Sequence, residues 1–265
     1  MPVWPNLLFS KPSPALARTL KPELPEWPGA RLFCSTRQGG VSAAPYDSLN
    51  VGDHVGDAPL SVAENRRLLA EAWGASPVFM RQVHGIELVC IDNLTANDVP
   101  EADACWSAES GQACTIMVAD CLPVLFYLPS ARRVAAAHAG WRGLAAGVLE
   151  NTLNLLAQSG PLGEVKVWLG PCIGPTAFEV GEDVRSAFCS ADDRCQQAFK
   201  PLEQTGKYLA NLAWLARHRL LEHGVFEIQG NDSSLNWCTF SQKQTYFSHR
   251  RDGVSGRFAA GISIA

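Results

Sequence analysis

The stretch "VAAAHAGWRG", residues 134–143, decides how this chain is read. Val134 to Ala137 predict a strand whose small side chains pack tightly on both faces, as strands covered on two sides do. His138 comes at its end, and Gly140, Trp141, Arg142 and Gly143 follow at once. Open sheets place their chemistry at strand ends, which makes His138 a candidate functional residue. A buried, hydrogen-bonded core histidine is the competing reading.

Upstream, "QACTIMVAD" (112–120) is a β-rich apolar run that stops at an aspartate, and "VLFYLP" (124–129) is a further short strand. The turn "SARR" joins the latter to "VAAAH". "ARLFCSTR" (30–37) predicts an early strand closed by "QGG", and "PVFMRQVHGIELVCID" (77–92) predicts two strands meeting near His84-Gly85. "SVAENRRLLAEAWG" (61–74) predicts a helix with Ser61 and Glu64 as a capping box and Gly74 as its stop. Helices are also predicted over 144–160, with Gly160 as cap, roughly over 181–189, and over 207–222. The final thirty residues read as short strands joined by a "DG" turn. Strands and helices alternate irregularly, so the expected class is α+β or mixed α/β.

The 265 residues can bury a full core, and no Pro/Gly/Ser-rich linker divides them, so one domain is expected. The formal net charge is -4 and the 22 Lys and Arg never run longer than two, which argues against a nucleic-acid partner or a charged membrane surface. No apolar run approaches the ~18 residues of a membrane span, and the N-terminus lacks the pattern of a secretion signal. Nine cysteines without CxxC spacing point to a reducing, cytoplasmic setting in which most are small buried hydrophobes.

Three residues share one local setting: His84 in "QVHG", Cys121 in "ADCLP" and His138 in "AAAHAGWRG". Each is a donor at a strand end. Cys and His together suit a metal of intermediate softness such as zinc, whose catalytic sites keep three protein ligands and one open position. The spacings of 37 and 17 residues match no short zinc motif, so a buried thiol at Cys121 and a turn-capping role for His84 stay open. A metal-free triad of Cys121, a histidine and an aspartate or asparagine is a further alternative. Asp120 is an awkward member of it unless the backbone turns, because neighbours on a strand face opposite ways. Arginines form the second element. Arg37, Arg66, Arg67, Arg142, Arg250 and Arg251 are either solvated or available to clamp an anion such as phosphate or carboxylate. No Walker or dinucleotide-binding glycine pattern is present.

The segments "STRQGGVSAAPYDSLNVGDHVGD", "VAENR", "RQVHG", "ADA", "VADCLP", "AAAHAGWRG", "WLGPCIGPTAFEVG", "KYLANL", "CTF" and "FSHRRDG" occur in that order. Together they resemble the laccase-domain family, whose members are also called polyphenol oxidases or multifunctional purine nucleoside phosphorylases. The resemblance runs from about Arg31 to the C-terminus and leaves residues 1–30 as an N-terminal extension ahead of a catalytic domain at 31–265. It implies a single layered domain with mixed β-sheets and outer helices, and zinc bound by His84, Cys121 and His138. The activities it implies are phosphorolysis of adenosine, inosine, guanosine and methylthioadenosine, and deamination of adenosine. Copper-dependent oxidation of phenols and cytoplasmic hydrolysis of peptidoglycan precursors are the alternatives it carries. A metal-stabilised interaction protein is the non-enzymatic one.

Three His/Cys ligands suit one zinc better than several coppers, and only six histidines with no HxH pair are present. The same three residues are the catalytic candidates. Asn50, His54, Arg66, Arg250 and Arg251 are the candidates for nucleoside and phosphate contacts. A monomer or weak homo-oligomer with small-molecule partners is expected.

Overall fold

The computed structural model describes residues 24–95 and 98–265. In chain order its strands are β1 (Ala30–Cys34), β2 (Ser76–Val78), β3 (Leu88–Cys90), β4 (Ala104–Ser107), β5 (Gln112–Val118), β6 (Leu122–Leu128) and β7 (Arg133–Ala139). They continue as β8 (Lys166–Leu169), β9 (Glu179–Gly181), β10 (Phe199–Pro201), β11 (Lys207–Ala210), β12 (Glu227–Gly230) and β13 (Phe258–Ile264). The helices are α1 (Pro59–Trp73), α2 (Trp141–Ala146), α3 (Val148–Ala157), α4 (Glu182–Cys189), α5 (Leu212–Glu222) and the single turn α6 (His249–Asp252).

Two mixed sheets stack face to face. One has four strands in the order β1-β13-β5-β2, the other six in the order β12-β8-β6-β7-β4-β3. Pairs are antiparallel except β2 with β5, β3 with β4 and β12 with β8, which are parallel. A small antiparallel sheet, β10-β11-β9, lies apart from both.

The side-chain period of two builds the layers. Along β6, Val124, Phe126 and Leu128 pack with Leu149, Leu153 and Leu156 of α3 and Leu215 of α5. Leu125 and Tyr127 point the other way, into a core shared with Leu32, Cys114, Ile116, Phe258 and Ile262 of the four-stranded sheet. The outer face of that sheet carries Phe33, Met117 and Ala259 against Leu69 and Trp73 of α1. The order is therefore helix, sheet, sheet, helices. β7 explains its own alanines: Ala135, Ala137 and Ala139 face α3 while Val134 and Ala136 face the second sheet, all of them fully buried. His138 shares the parity of Val134 and Ala136, so it projects between the sheets at the end of its strand.

The mixed sheets and outer helices match the expected class, and several local readings change. α1 begins at Pro59 with Ala58 as its N-cap and no side-chain cap, so Ser61 and Glu64 form no capping box. Glu64 is inside the helix and holds Arg67 instead. The helix predicted over 144–160 is two, because Gly147 at φ 104° breaks it, and the second ends at Ala157 before Gly160. Residues 207–210 are β11, paired on both sides, so the helix predicted from 207 begins at Leu212 with Asn211 capping it. Of the predicted strands over 77–92 only short ends form, which leaves His84 in a loop. The C-terminal region holds a 3-10 turn at Leu235–Trp237 and the helical turn α6 before its one long strand.

The N-terminal extension lies outside the described residues up to position 23. Beyond it, Trp27 is buried in the inter-sheet core and stacks on Tyr127 with ring centroids 6.3 Å apart. Phe126, at the centre of the six-stranded sheet, is fully buried. Truncating Phe126→Ala is expected to cost about 3–5 kcal/mol, read as a lower denaturation midpoint at unchanged m-value.

Candidate metal centre

His84, Cys121 and His138 come from three different places. Cys121 begins the turn into β6, His138 lies near the end of β7 opposite Pro123, and His84 is in the loop between β2 and β3. Two non-glycine residues with positive φ aim these groups: His84 at 62° and Asp120 at 95°. Such backbone persists only where its surroundings hold it. The holders are visible. One oxygen of the Asp103 carboxylate accepts hydrogen bonds from the Val83 N–H at 3.0 Å and the Gly85 N–H at 2.7 Å. The other accepts from the His84 N–H at 2.9 Å and pairs with His138 Nδ1 at 2.7 Å. One fully buried side chain thus fixes the loop of the first donor and the ring of the third. With Nδ1 taken, Nε2 of His138 is left to serve as a ligand.

The donor atoms of the three residues lie within 4.8 Å of one another. Cys121 Sγ is 3.7 Å from His84 Nε2, close to the ~3.6 Å edge that tetrahedral zinc with ordinary Zn–S and Zn–N bonds would set. Gly140 keeps the space clear, since a Cβ there would meet His84 Cδ2 at 2.7 Å and Cys121 Sγ at 3.1 Å. The electrostatics agree. Burial pushes the Cys121 thiol up, but the His138 charge and hydrogen bonds from His138 and His84 bring it down to about 6. Burial likewise opposes the charge on His138, which Cys121 and Asp103 together hold up to about 9. A thiolate beside two imidazoles is a donor set for a transition-metal ion.

These residues form the floor of a cleft of about 420 Å³, within the usual range for small-molecule sites. Its walls include His54, Gln82, Trp141, Phe178, Arg250 and Arg257. Of the residues expected at the site, the structure brings together His84, Cys121, His138, His54 and Arg250 and places the other three elsewhere. Asn50 is fully buried and holds loop backbone, accepting from the N–H groups of Gly52 and Arg257 and donating to Asp57. Arg66 reaches the Val51 carbonyl and Asp53 and covers Phe79, lining a neighbouring cleft. Arg251 spends its guanidinium on the carbonyls of Thr239, Phe240 and Tyr246 and on Asp252.

The backbone does turn at Asp120, yet its carboxylate accepts from Thr239 Oγ1 at 2.6 Å and the Arg250 N–H at 2.7 Å, facing away from a triad role. The aspartate on the histidine is Asp103. Nothing in the sequence but the short "ADA" segment marks it, and Arg257, in "SGRF", carries no signal beyond its charge. A second His/Cys/Asp group, Asp192, Cys195 and His218, could also hold an ion. There Asp192 is already occupied by Arg194 and by His218 Nε2 at 2.7 Å.

The family model described as multi-copper polyphenol oxidoreductase laccase matches residues 31–265. The chain belongs to this family. A purine nucleoside phosphorylase of Pseudomonas aeruginosa is 51% identical over 239 residues, covering 89% of this chain and 95% of that protein. The purine nucleoside phosphorylase YfiH of Escherichia coli is 46% identical over 246 residues, covering 90% and 97%. Among solved structures, a Neisseria meningitidis protein superposes with TM-score 0.84 at 42% identity over 90% of this chain and 97% of its own. YlmD of Geobacillus stearothermophilus gives 0.78 at 31% identity, over 93% and 98%. Such likeness makes this chain an enzyme-family member with a metal-binding character.

Asp103→Asn would replace one acceptor oxygen by a donor amide, leaving the loop N–H groups and His138 competing for what remains. Metal affinity is expected to fall about 10- to 100-fold, measured by competition with a chromophoric chelator, with the fold retained by circular dichroism.

Proposed function

We propose that this cleft is the active site of a zinc-dependent purine nucleoside phosphorylase that cleaves adenosine, inosine, guanosine and methylthioadenosine with phosphate and also deaminates adenosine. The observation that carries the reading is the convergence of Cys121 with His84 and His138 on the floor of a substrate-sized cleft. The names of the Pseudomonas and Escherichia relatives support it. Zinc, when bound, supplies Lewis-acid polarisation of a group held against it.

The chain's own residues supply the rest. Asp103 keeps His138 in one tautomer and orientation, so the donor set does not reorganise between turnovers. Trp141 and Phe178 give the cleft aromatic walls of a kind that suits a purine. Arg250 lies over Phe178, 5.5 Å from its centroid, and is tethered to the Glu179 carbonyl. Among the described residues on the walls, Arg142, Arg250 and Arg257 outnumber the one carboxylate, Asp120, which is already hydrogen-bonded. That excess favours an anionic partner such as phosphate. All nine cysteines are free thiols, which supports a cytoplasmic setting. Among the described residues no helix is long and apolar enough to cross a membrane.

Copper-dependent oxidation of phenols is the second reading, favoured by the description of the matching family. A thiolate with two imidazoles binds copper as readily as zinc. Among the described residues the cleft offers a single three-donor set, and the Asp192 group belongs to a separate helical region.

The test is turnover of adenosine, with and without phosphate, by zinc-loaded protein and its Cys121→Ala variant, with adenine, inosine and hypoxanthine separated. A parallel arm follows oxygen uptake by copper-loaded protein on a phenol. Phosphate-dependent release of adenine, lost in the variant along with the zinc, is the expected result. Inosine alone reduces the enzyme to a deaminase. Phenol-dependent oxygen uptake without nucleoside turnover transfers the assignment to the oxidase, and silence in every arm redirects it to peptidoglycan-precursor hydrolysis.

A further inference from the structure

We infer that Arg257, with His54 beside it, forms a subsite for a phosphate dianion next to the His84, Cys121 and His138 trio. Arg257 is held at its backbone, its stem and one nitrogen of its guanidinium. Its backbone N–H donates to Asn50 Oδ1 at 2.8 Å and its carbonyl accepts from the Val51 N–H at 3.0 Å. Its stem lies against Gly52, where a Cβ would meet Arg257 Cγ at 2.8 Å. Nη1 donates to the carbonyls of Ser255 and Gly256 at 2.8 and 3.0 Å. Nε and Nη2 have no partner among the described residues, and the side chain lines the cleft.

No carboxylate among the described residues is in hydrogen-bond contact with Arg257; burial works against its charge, and Cys121 and Asp120 favour it from across the cleft. Asp120, on the same cleft, has both oxygens engaged by Thr239 and the Arg250 N–H. A planar fork of N–H groups, preset by its own backbone and left open, matches two oxygens of a phosphate. The other cleft arginines are differently arranged: Arg250 is tied to the Glu179 carbonyl, and Arg142 lies exposed over Trp141. His54 is close enough to feel Arg257: burial first, and then the Arg257 charge, pull its pKa down. Its Nδ1 faces the Asp53 carboxylate at 3.5 Å, and the ring lines the same cleft as Arg257. The loop 41–59 and the final strand meet at Arg257, so the subsite joins two segments far apart in the chain.

The proposal rests on the phosphorylase reading for the source of the phosphate, which is free orthophosphate there and the ester of a nucleotide otherwise. The test uses zinc-loaded full-length protein and its Arg257→Gln, Arg257→Lys and His54→Gln variants. Orthophosphate and AMP are each titrated calorimetrically, and KM for phosphate and for adenosine is measured with zinc content.

Arg257→Gln is expected to weaken orthophosphate about 10- to 100-fold, with zinc and the KM for adenosine held. Arg257→Lys should recover part of that loss, having the charge without the fork. Weakening confined to AMP keeps the subsite and assigns it to a nucleotide ester. Should wild-type protein bind orthophosphate through Arg257 yet release no free base, the phosphorylase reading falls and the subsite stands. Unchanged affinity for both probes in folded, zinc-loaded Arg257→Gln overturns the proposal. If that variant does not fold, unchanged affinity in both Arg257→Lys and His54→Gln does so.

Discussion

The Asp103 carboxylate is the interaction on which the site depends. A buried carboxylate is costly unless its charge is answered, and here it is answered by three backbone N–H groups and an imidazole. Burial works against its charge, yet His138 and those backbone donors hold its pKa below the usual carboxylate range. Because the three N–H groups belong to the loop that carries His84, stabilising the charge and shaping the loop are one event. The positive φ of His84 is then a consequence of that clamp.

The layers serve the same end. β6 and β7 are buried on both faces, and Cys121 and His138 lie at the same end of that hairpin. Alanines along β7 let α3 and the second sheet approach closely on either side, so the hairpin has little freedom to slide. A one-residue slip in its register would turn His138 away from the inter-sheet face and out of the cleft. The packing of this hairpin is thus also what fixes the two donors it carries.

Cys121 and His138 stand in the sequence at the borders of apolar strands, while His84 lies in a loop and joins them only in the fold. The class of fold was legible in the apolar runs of β5, β6 and β7. What remained hidden depends on contacts across the chain. Asp103 looks like any aspartate until a loop folds around it. Asn50, Arg66 and Arg251 have the chemistry of ligand contacts, but each is spent on backbone or a nearby carboxylate. Ser61 and Glu64 have the spacing of a capping box, and Pro59 starts the helix one turn-fragment earlier. Residues 207–210 prefer the edges offered by β9 and β10 over the helix their neighbours enter, a tertiary choice that local pattern does not encode.

The guanidinium-rich walls of the cleft have a kinetic consequence as well. The chain as a whole carries a formal charge of -4, while the cleft walls carry Arg142, Arg250 and Arg257. Low-dielectric walls focus such a field toward the site. Capture of a charged reactant should therefore be guided rather than random, and the guidance fades as salt shortens the reach of charge to about 8 Å at physiological ionic strength.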